Sequence, residues 1–257
     1  MGWFRRHAYG WLFLAGLLLA WIAVTRLRLV DPIILPSPFS VVRALPEMLR
    51  ERLLADVGLT LARVVGALLL ACAIGVPLGL LFGYRKGMYQ VIESPLHALR
   101  SIPASALFPL FLIIIGVGEK SIVALAAYPS LLVILVNTVS GTALANKRRL
   151  YQARLFGLGT WDTISDVLFY EALPNIFDGI RTAVSYALVL VVAVEMFIGL
   201  GERGLGRGIY EYQATYRIPE TYGAIIIAGA IGILLNGVVT RLETRMLRWL
   251  PHAHEEQ

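Results

Sequence analysis

The sequence predicts an all-α polytopic membrane protein, and three observations carry that prediction. The 257 residues are 58% hydrophobic and only 16% charged, far from the balance of an ordinary globular domain in water. The apolar residues gather into runs close to the roughly 20 needed to cross a bilayer as a helix. One long polar interruption, residues 147–181 (KRRLYQARLFGLGTWDTISDVLFYEALPNIFDGIR), separates two such runs. An insert this polar cannot lie in hydrocarbon, where charges and open backbone groups lose their water. The length suits a single membrane domain covering residues 1–257.

About six transmembrane helices are expected. The first runs from Tyr9 to Thr25, behind Arg5 and Arg6. No small-residue cleavage site precedes Arg26, so this run reads as a retained helix. Residues 26–56 carry Pro32, Pro36, Pro38 and Pro46. Within them Ser37-Pro38-Phe39-Ser40 starts a short helix with Val41, Val42, Leu45 and Leu49 on one side, suited to lie along the interface. The second span covers Leu59 to Gly83. Its Gly66, Gly75, Gly79 and Gly83 let another helix approach closely, and read as a face for a second copy of the chain. The third, Val91 to Gly118, carries Pro95, Pro103 and Pro109 and should be kinked or broken. The fourth covers Ile122 to Ala143, the fifth Ile180 to Leu200 and the sixth Tyr222 to Leu242. The polar tail, 251–257, is expected to be disordered.

The polar insert opens with Lys147, Arg148 and Arg149, a cluster that suits the cytoplasmic face. Gly157 and Gly159 divide it into two short amphipathic pieces. Leu173-Pro174 is expected to end the second piece, and Asp178-Gly179 to lead into the fifth span. The net charge of +6 does not point to nucleic acid in a chain this apolar; the basic residues mark cytoplasmic loops and anionic headgroups instead. Cys72 stands alone, which excludes an internal disulfide or a cysteine metal site. The histidines at 7, 97, 252 and 254 lack metal-ligand spacing. Gly118-Glu119-Lys120-Ser121 shares letters with a phosphate-binding loop, but Glu119 stands where a glycine is required, so it reads as a short polar turn. No catalytic constellation stands out.

The charges inside the spans are the remaining candidates. Glu195, deep in the fifth span, reads either as a proton relay or as a hydrogen-bonding group toward a neighbouring helix. Arg63 can attract an anion or snorkel to the headgroups. Glu93 and Arg100 share a helix face without being close enough to pair directly. Arg63, Arg100, Pro103 and Glu195 are the candidates for a pathway or gate.

Ala153, Gly157 and Trp161, each four apart, and the ending Glu171-Ala172-Leu173-Pro174 resemble the cytoplasmic coupling segment of ABC importer permeases. The branch most similar is the one that imports nitrate, taurine, alkanesulfonates and bicarbonate. Two departures stand out: Tyr151-Gln152 replaces the family's Glu-Ala, and Phe169-Tyr170 stands where Leu-Pro is common. Residues 93–121, with Arg100-Ser101-Ile102-Pro103, Pro109-Leu110 and Gly116-Val117-Gly118-Glu119, resemble the same branch, as does Glu195-Met196. The resemblance covers nearly all of the chain from Leu35 onward.

It implies a permease subunit of an ATP-driven importer in the inner membrane, carrying a small, anionic solute. The coupling residues it implies are Ala153, Leu155, Phe156, Gly157, Gly159, Trp161, Leu173 and Pro174. The implied partners are two ATPase subunits, a second permease copy and a periplasmic binding protein. ATP and Mg would belong to the ATPase, with no cofactor bound by this chain. Two other readings stay open at this stage: an ion-coupled transporter or channel using Glu195, and a membrane scaffold that moves nothing. Co-purification of an ATPase separates them.

The topology makes a first prediction. Both termini are expected in the cytoplasm and residues 202–220 in the periplasm. Single cysteines placed in a Cys72→Ala background should label from outside at position 212 and not at 160; the reverse pattern would overturn the map.

Overall fold

In lipid a chain that spans alone must satisfy its backbone within helices, and helices are what this chain forms. The computed structural model describes residues 2–197 and 203–248, which contain no strand. In order these form α1 (Gly2–Arg26), α2 (Pro38–Glu51), α3 (Leu53–Tyr84), α4 (Lys86–Ser101), α5 (Phe108–Ile115) and α6 (Glu119–Leu144). Then follow α7 (Lys147–Leu155), α8 (Thr160–Thr163), α9 (Phe169–Phe197), α10 (Leu205–Ala214) and α11 (Ile218–Met246). The expected tail, and the end of the fifth span at Leu200, lie outside the described residues.

Among the described residues four helices are long and apolar enough to cross a membrane: α3, α6, α11 and the stretch Thr160–Phe197 that contains α9. The third expected span is broken, as its prolines require. α4 and α5 meet at 82°, with Pro103 and a 3-10 turn (Ala104–Leu107) at the bend. The first expected span falls within α1, whose apolar stretch, Leu12–Arg26, is shorter than those of the four.

The core is built around α6, which packs between α3 and α9. Val64, Ala67, Leu125, Ile134, Val184, Ala187 and Val191 from these three helices are fully buried. The glycines of α3 make the contact close. A Cβ at Gly79 would sit 2.6 Å from the Thr138 Cβ and 2.9 Å from the Leu135 carbonyl oxygen. Gly75 faces Ile134 and Gly83 faces Thr142 in the same way. The glycine face expected to meet a second copy is thus spent inside the chain, against α6.

α2 begins where the sequence indicates. Ser37 caps it, its hydroxyl accepting the Ser40 N–H at 3.1 Å, with Pro38 in the first turn. Val41, Ala44 and Met48 are buried, while Val42 and Leu49 face outward. The predicted stripe is therefore split between a protein face against α11 and an outward face fit for lipid. At the outer end of α1, the Trp21 indole donates to the Pro36 carbonyl at 3.0 Å and the Tyr222 hydroxyl donates to Ile34 at 2.9 Å.

One expected boundary is wrong. Pro174 does not end a helix, because α9 runs unbroken through it from Phe169. Proline removes one N–H from the ladder, and the burial of Ala172, Leu173, Ile176 and Phe177 in the core holds the helix together across the gap.

The α3–α6 contact yields a prediction. Gly79→Leu should destabilise the purified protein by about 1–3 kcal/mol through overpacking, read as detergent-phase unfolding. Gly58→Ala, where an added Cβ meets nothing within 4 Å, should cost nothing. Equal effects at the two sites would remove the close contact from the account.

Candidate functional site

The outer halves of α3, α6 and α9 meet at a buried ionic cluster. Arg63 and Glu195 are 3% and 2% exposed. The Arg63 Nη1 donates to Glu195 Oε1 at 2.7 Å, and its Nε donates to Glu119 Oε2 at 2.6 Å. A second guanidinium nitrogen also bonds Glu119, completing a two-pronged pair. The Thr60 hydroxyl lies 2.9 Å from both Glu195 oxygens. The first turn of α10 closes the cluster: Gly206 N–H donates to Glu195 at 2.8 Å, and Leu205 N–H to the Thr60 hydroxyl at 2.8 Å. Arg63 also donates to the Arg203 carbonyl at 3.3 Å. Gly204 permits this approach, since a Cβ there would lie 2.5 Å from the Glu195 carboxyl carbon.

The arrangement is a latch rather than an open ion site. It ties α3, α6, α9 and the first turn of α10 through groups that desolvation makes costly to separate. Both Arg63 and Glu195 were candidates from sequence. Their mutual pairing, and the parts played by Thr60, Glu119 and the two backbone amides, were not foreseen. Glu119, expected in a polar turn, is the first residue of α6. The signal that could have found it is an acid at the head of an apolar run, with an unusual arginine in another run.

Just outside lies a second charged group. Arg217, on the approach to α11, donates to Glu51 at 2.6 Å and to Glu220 at 3.1 Å. That bond from Arg217 holds the Glu51 carboxyl below the usual carboxylate range. Tyr212 bonds Glu51 at 3.1 Å; burial first, and this bond second, push its hydroxyl up to about 12.

Arg100 and Pro103 lie elsewhere. Both line a cavity of about 440 Å³ between the broken α4–α5 pair, α6 and α9. Tyr128, Tyr186, Leu190 and Ala193 form its other walls. Among the described residues Arg100 has no carboxylate partner and Glu93 has no basic one. The cavity and the latch thus sort the four pathway candidates into two pairs on different faces of α9.

At the opposite end, α7 and α8 form the polar segment. Asn146 caps α7, accepting from the Arg148 N–H at 2.9 Å. Gly157 then turns the chain with φ of +75°, a conformation that favours glycine. Leu155, Phe156 and Trp161 surround this turn and are 69%, 82% and 74% exposed. Ala153 and Leu173 are buried instead and hold the segment to the core. Gly159 has an ordinary φ and receives Asp162 on its N–H at 3.2 Å. Pro174 lies inside α9. Of the expected coupling residues, three are therefore presented outward, one makes the turn and the others support it. The second amphipathic piece is not separate: a π turn, Ile164–Leu168, joins α8 to α9.

A large polar segment with exposed aromatics, a broken helix pair and a membrane core can be compared with known proteins. The model of the family described as "Binding-protein-dependent transport system inner membrane component" matches residues 75–249. The chain belongs to this family.

As an inner-membrane component of such a system it is a multi-pass transporter permease. The putative aliphatic sulfonates transport permease of Bacillus subtilis (strain 168) is 28% identical over 249 residues, covering 95% of this chain and 90% of that protein. The taurine transport system permease of Escherichia coli (strain K12) is 25% identical, covering 92% and 87%. The nitrate import permease of Synechocystis sp. is 29% identical, covering 72% and 66%. Among solved structures, an inward-facing form of the MetNI methionine ABC transporter aligns with a TM-score of 0.64 at 19% identity, over 76% of this chain and 95% of that one. That likeness is one of fold.

The latch supplies a third prediction. Glu195→Ala leaves the Arg63 charge buried without its inner partner, and should cost about 3–5 kcal/mol of stability. Glu119→Ala, whose side chain is 46% exposed, should cost less because water reaches the site. Unfolding of both variants in detergent decides it; the reverse order would make Glu119 the principal anchor.

Proposed function

We propose that two copies of this permease form a pathway for a small anion, driven by two ATPase subunits docked on the segment 147–178 and supplied by a periplasmic binding protein. ATP and Mg are bound on the ATPase partner, and this chain binds neither. The observation that carries the reading is the outward display of Leu155, Phe156 and Trp161 around the Gly157 turn. Large apolar side chains on a charged segment outside the bilayer are costly in water unless a partner covers them.

A second copy is supported by the α4–α5 break. Open backbone at a helix break is tolerated at membrane depth only against protein or a water-filled space. α5 is eight residues long, too short to cross, and its Ile113 and Ile114 are 81% and 72% exposed in the single chain. The anionic substrate is supported by Arg100 on the cavity wall and by relatives named for sulfonates, taurine and nitrate. Glu195 is paired with Arg63, which favours a structural part over a proton relay.

The test is Gly157→Leu. An added Cβ meets nothing within 4 Å in this chain, so only the positive φ and an outside partner oppose it. Membrane abundance should stay near wild type, while uptake and ATPase co-purification fall at least about tenfold, the scale of a lost contact of roughly 1.4 kcal/mol. Gly157→Asn, which tolerates positive φ, should lose less. Native mass of the wild-type complex should give two permeases and two ATPases. Wild-type uptake in Gly157→Leu would reduce the segment to a simple loop.

A further inference from the structure

A second pocket, of about 550 Å³, opens where α3 ends, α4 begins, and α6 passes into α7. Its walls differ in chemistry along its depth. Lys147 and Arg154 stand at its outer edge, exposed and without a carboxylate partner among the described residues. Arg149, on another face of α7, is by contrast already paired with Glu171. Among the described residues that line the pocket none is acidic. Its inner wall includes Val139 and Ala143 of α6. Val139 lies five positions before the helix end at Leu144, about 7.5 Å further into the membrane. Tyr89 and Tyr151 flank the boundary, where aromatic rings sit at headgroup level.

We infer that this pocket binds the headgroup of an anionic phospholipid from the cytoplasmic leaflet. Two free cations at the water edge attract the phosphate. The apolar inner wall accepts the first part of an acyl chain. A charged head joined to an apolar tail matches that gradient. A free phosphate ion leaves the inner wall bare, and a docking ATPase approaches from the water side only. Tyr89 and Gln90 of α4 and Leu150 of α7 bridge the two zones, so an occupied pocket also fastens the amphipathic α4 to the polar segment.

The inference rests on the cytoplasmic placement of α7 and not on ATPase docking. Native mass spectrometry of the full chain, released from detergent with added lipid, tests it. Phosphatidylglycerol should be retained at least about tenfold more tightly than phosphatidylcholine. Lys147→Glu with Arg154→Glu should abolish the preference. Lys147→Arg with Arg154→Lys should keep it, which guards against misfolding as the cause. Arg245→Glu with Arg248→Glu, an equal change of charge at the end of α11, should also keep it. Equal binding of the two lipids, or equal loss in both charge-reversed pairs, would overturn the inference. So would displacement of the lipid by equimolar inorganic phosphate, which would make this an ion site. Lipid retained in Lys147→Glu with Arg154→Glu while ATPase co-purification is lost would make it a protein contact instead, and would equally overturn it.

Discussion

The structure depends on keeping Arg63 and Glu195 together out of water. Neither charge is tolerable alone inside an apolar bundle. Paired, and supplied with Thr60 and two backbone N–H groups, they become the fixed point at which three long helices and the first turn of α10 agree on position. Glu119 adds a second carboxylate, but its partial exposure leaves that charge solvated. The buried part of the cluster is therefore close to neutral. The glycines of α3 do the complementary work at the other end, bringing α3 and α6 into backbone contact without any charge.

Much of the fold was legible because lipid leaves a chain few choices. Apolar length marks α3, α6 and α11, prolines mark the α4–α5 break, and Ser37-Pro38 marks the start of α2. The boundary at Pro174 was misread because local proline chemistry was weighed without the packing of Leu173 and Phe177, which keeps the helix intact. The partner of the α3 glycines was misjudged for a related reason: a small-residue face states that something comes close, not what. At the site, the unusual charges Arg63 and Glu195 were visible singly. Their meeting is a matter of tertiary geometry between residues 132 positions apart, which no local pattern carries. Gly157 is the opposite case, since its positive φ is a local property and glycine announces it.

The two ends of the molecule solve different problems. The outer end satisfies every charge it can within the chain, through Arg63 and again through Arg217 with Glu51 and Glu220. The inner end leaves aromatic and basic side chains uncovered on α7 and α8. One end is closed on itself and the other is built for company, as suits a permease whose energy comes from another subunit.

The unbroken helix from Thr160 to Phe197 connects these ends. Its 38 residues make a rod about 57 Å long. Trp161 stands at its cytoplasmic tip and Glu195 near its outer tip. A rod of that length works as a lever: a tilt of about 5° at one end sweeps the other through about 5 Å, enough to part a hydrogen bond. Had Pro174 broken the helix, the two halves would swing independently and the motion would be lost at the joint. Two irregularities lie along it, the π turn at 164–168 beside the Trp161 tip and the hydrogen bond missing at Pro174, both in its first half and away from Glu195.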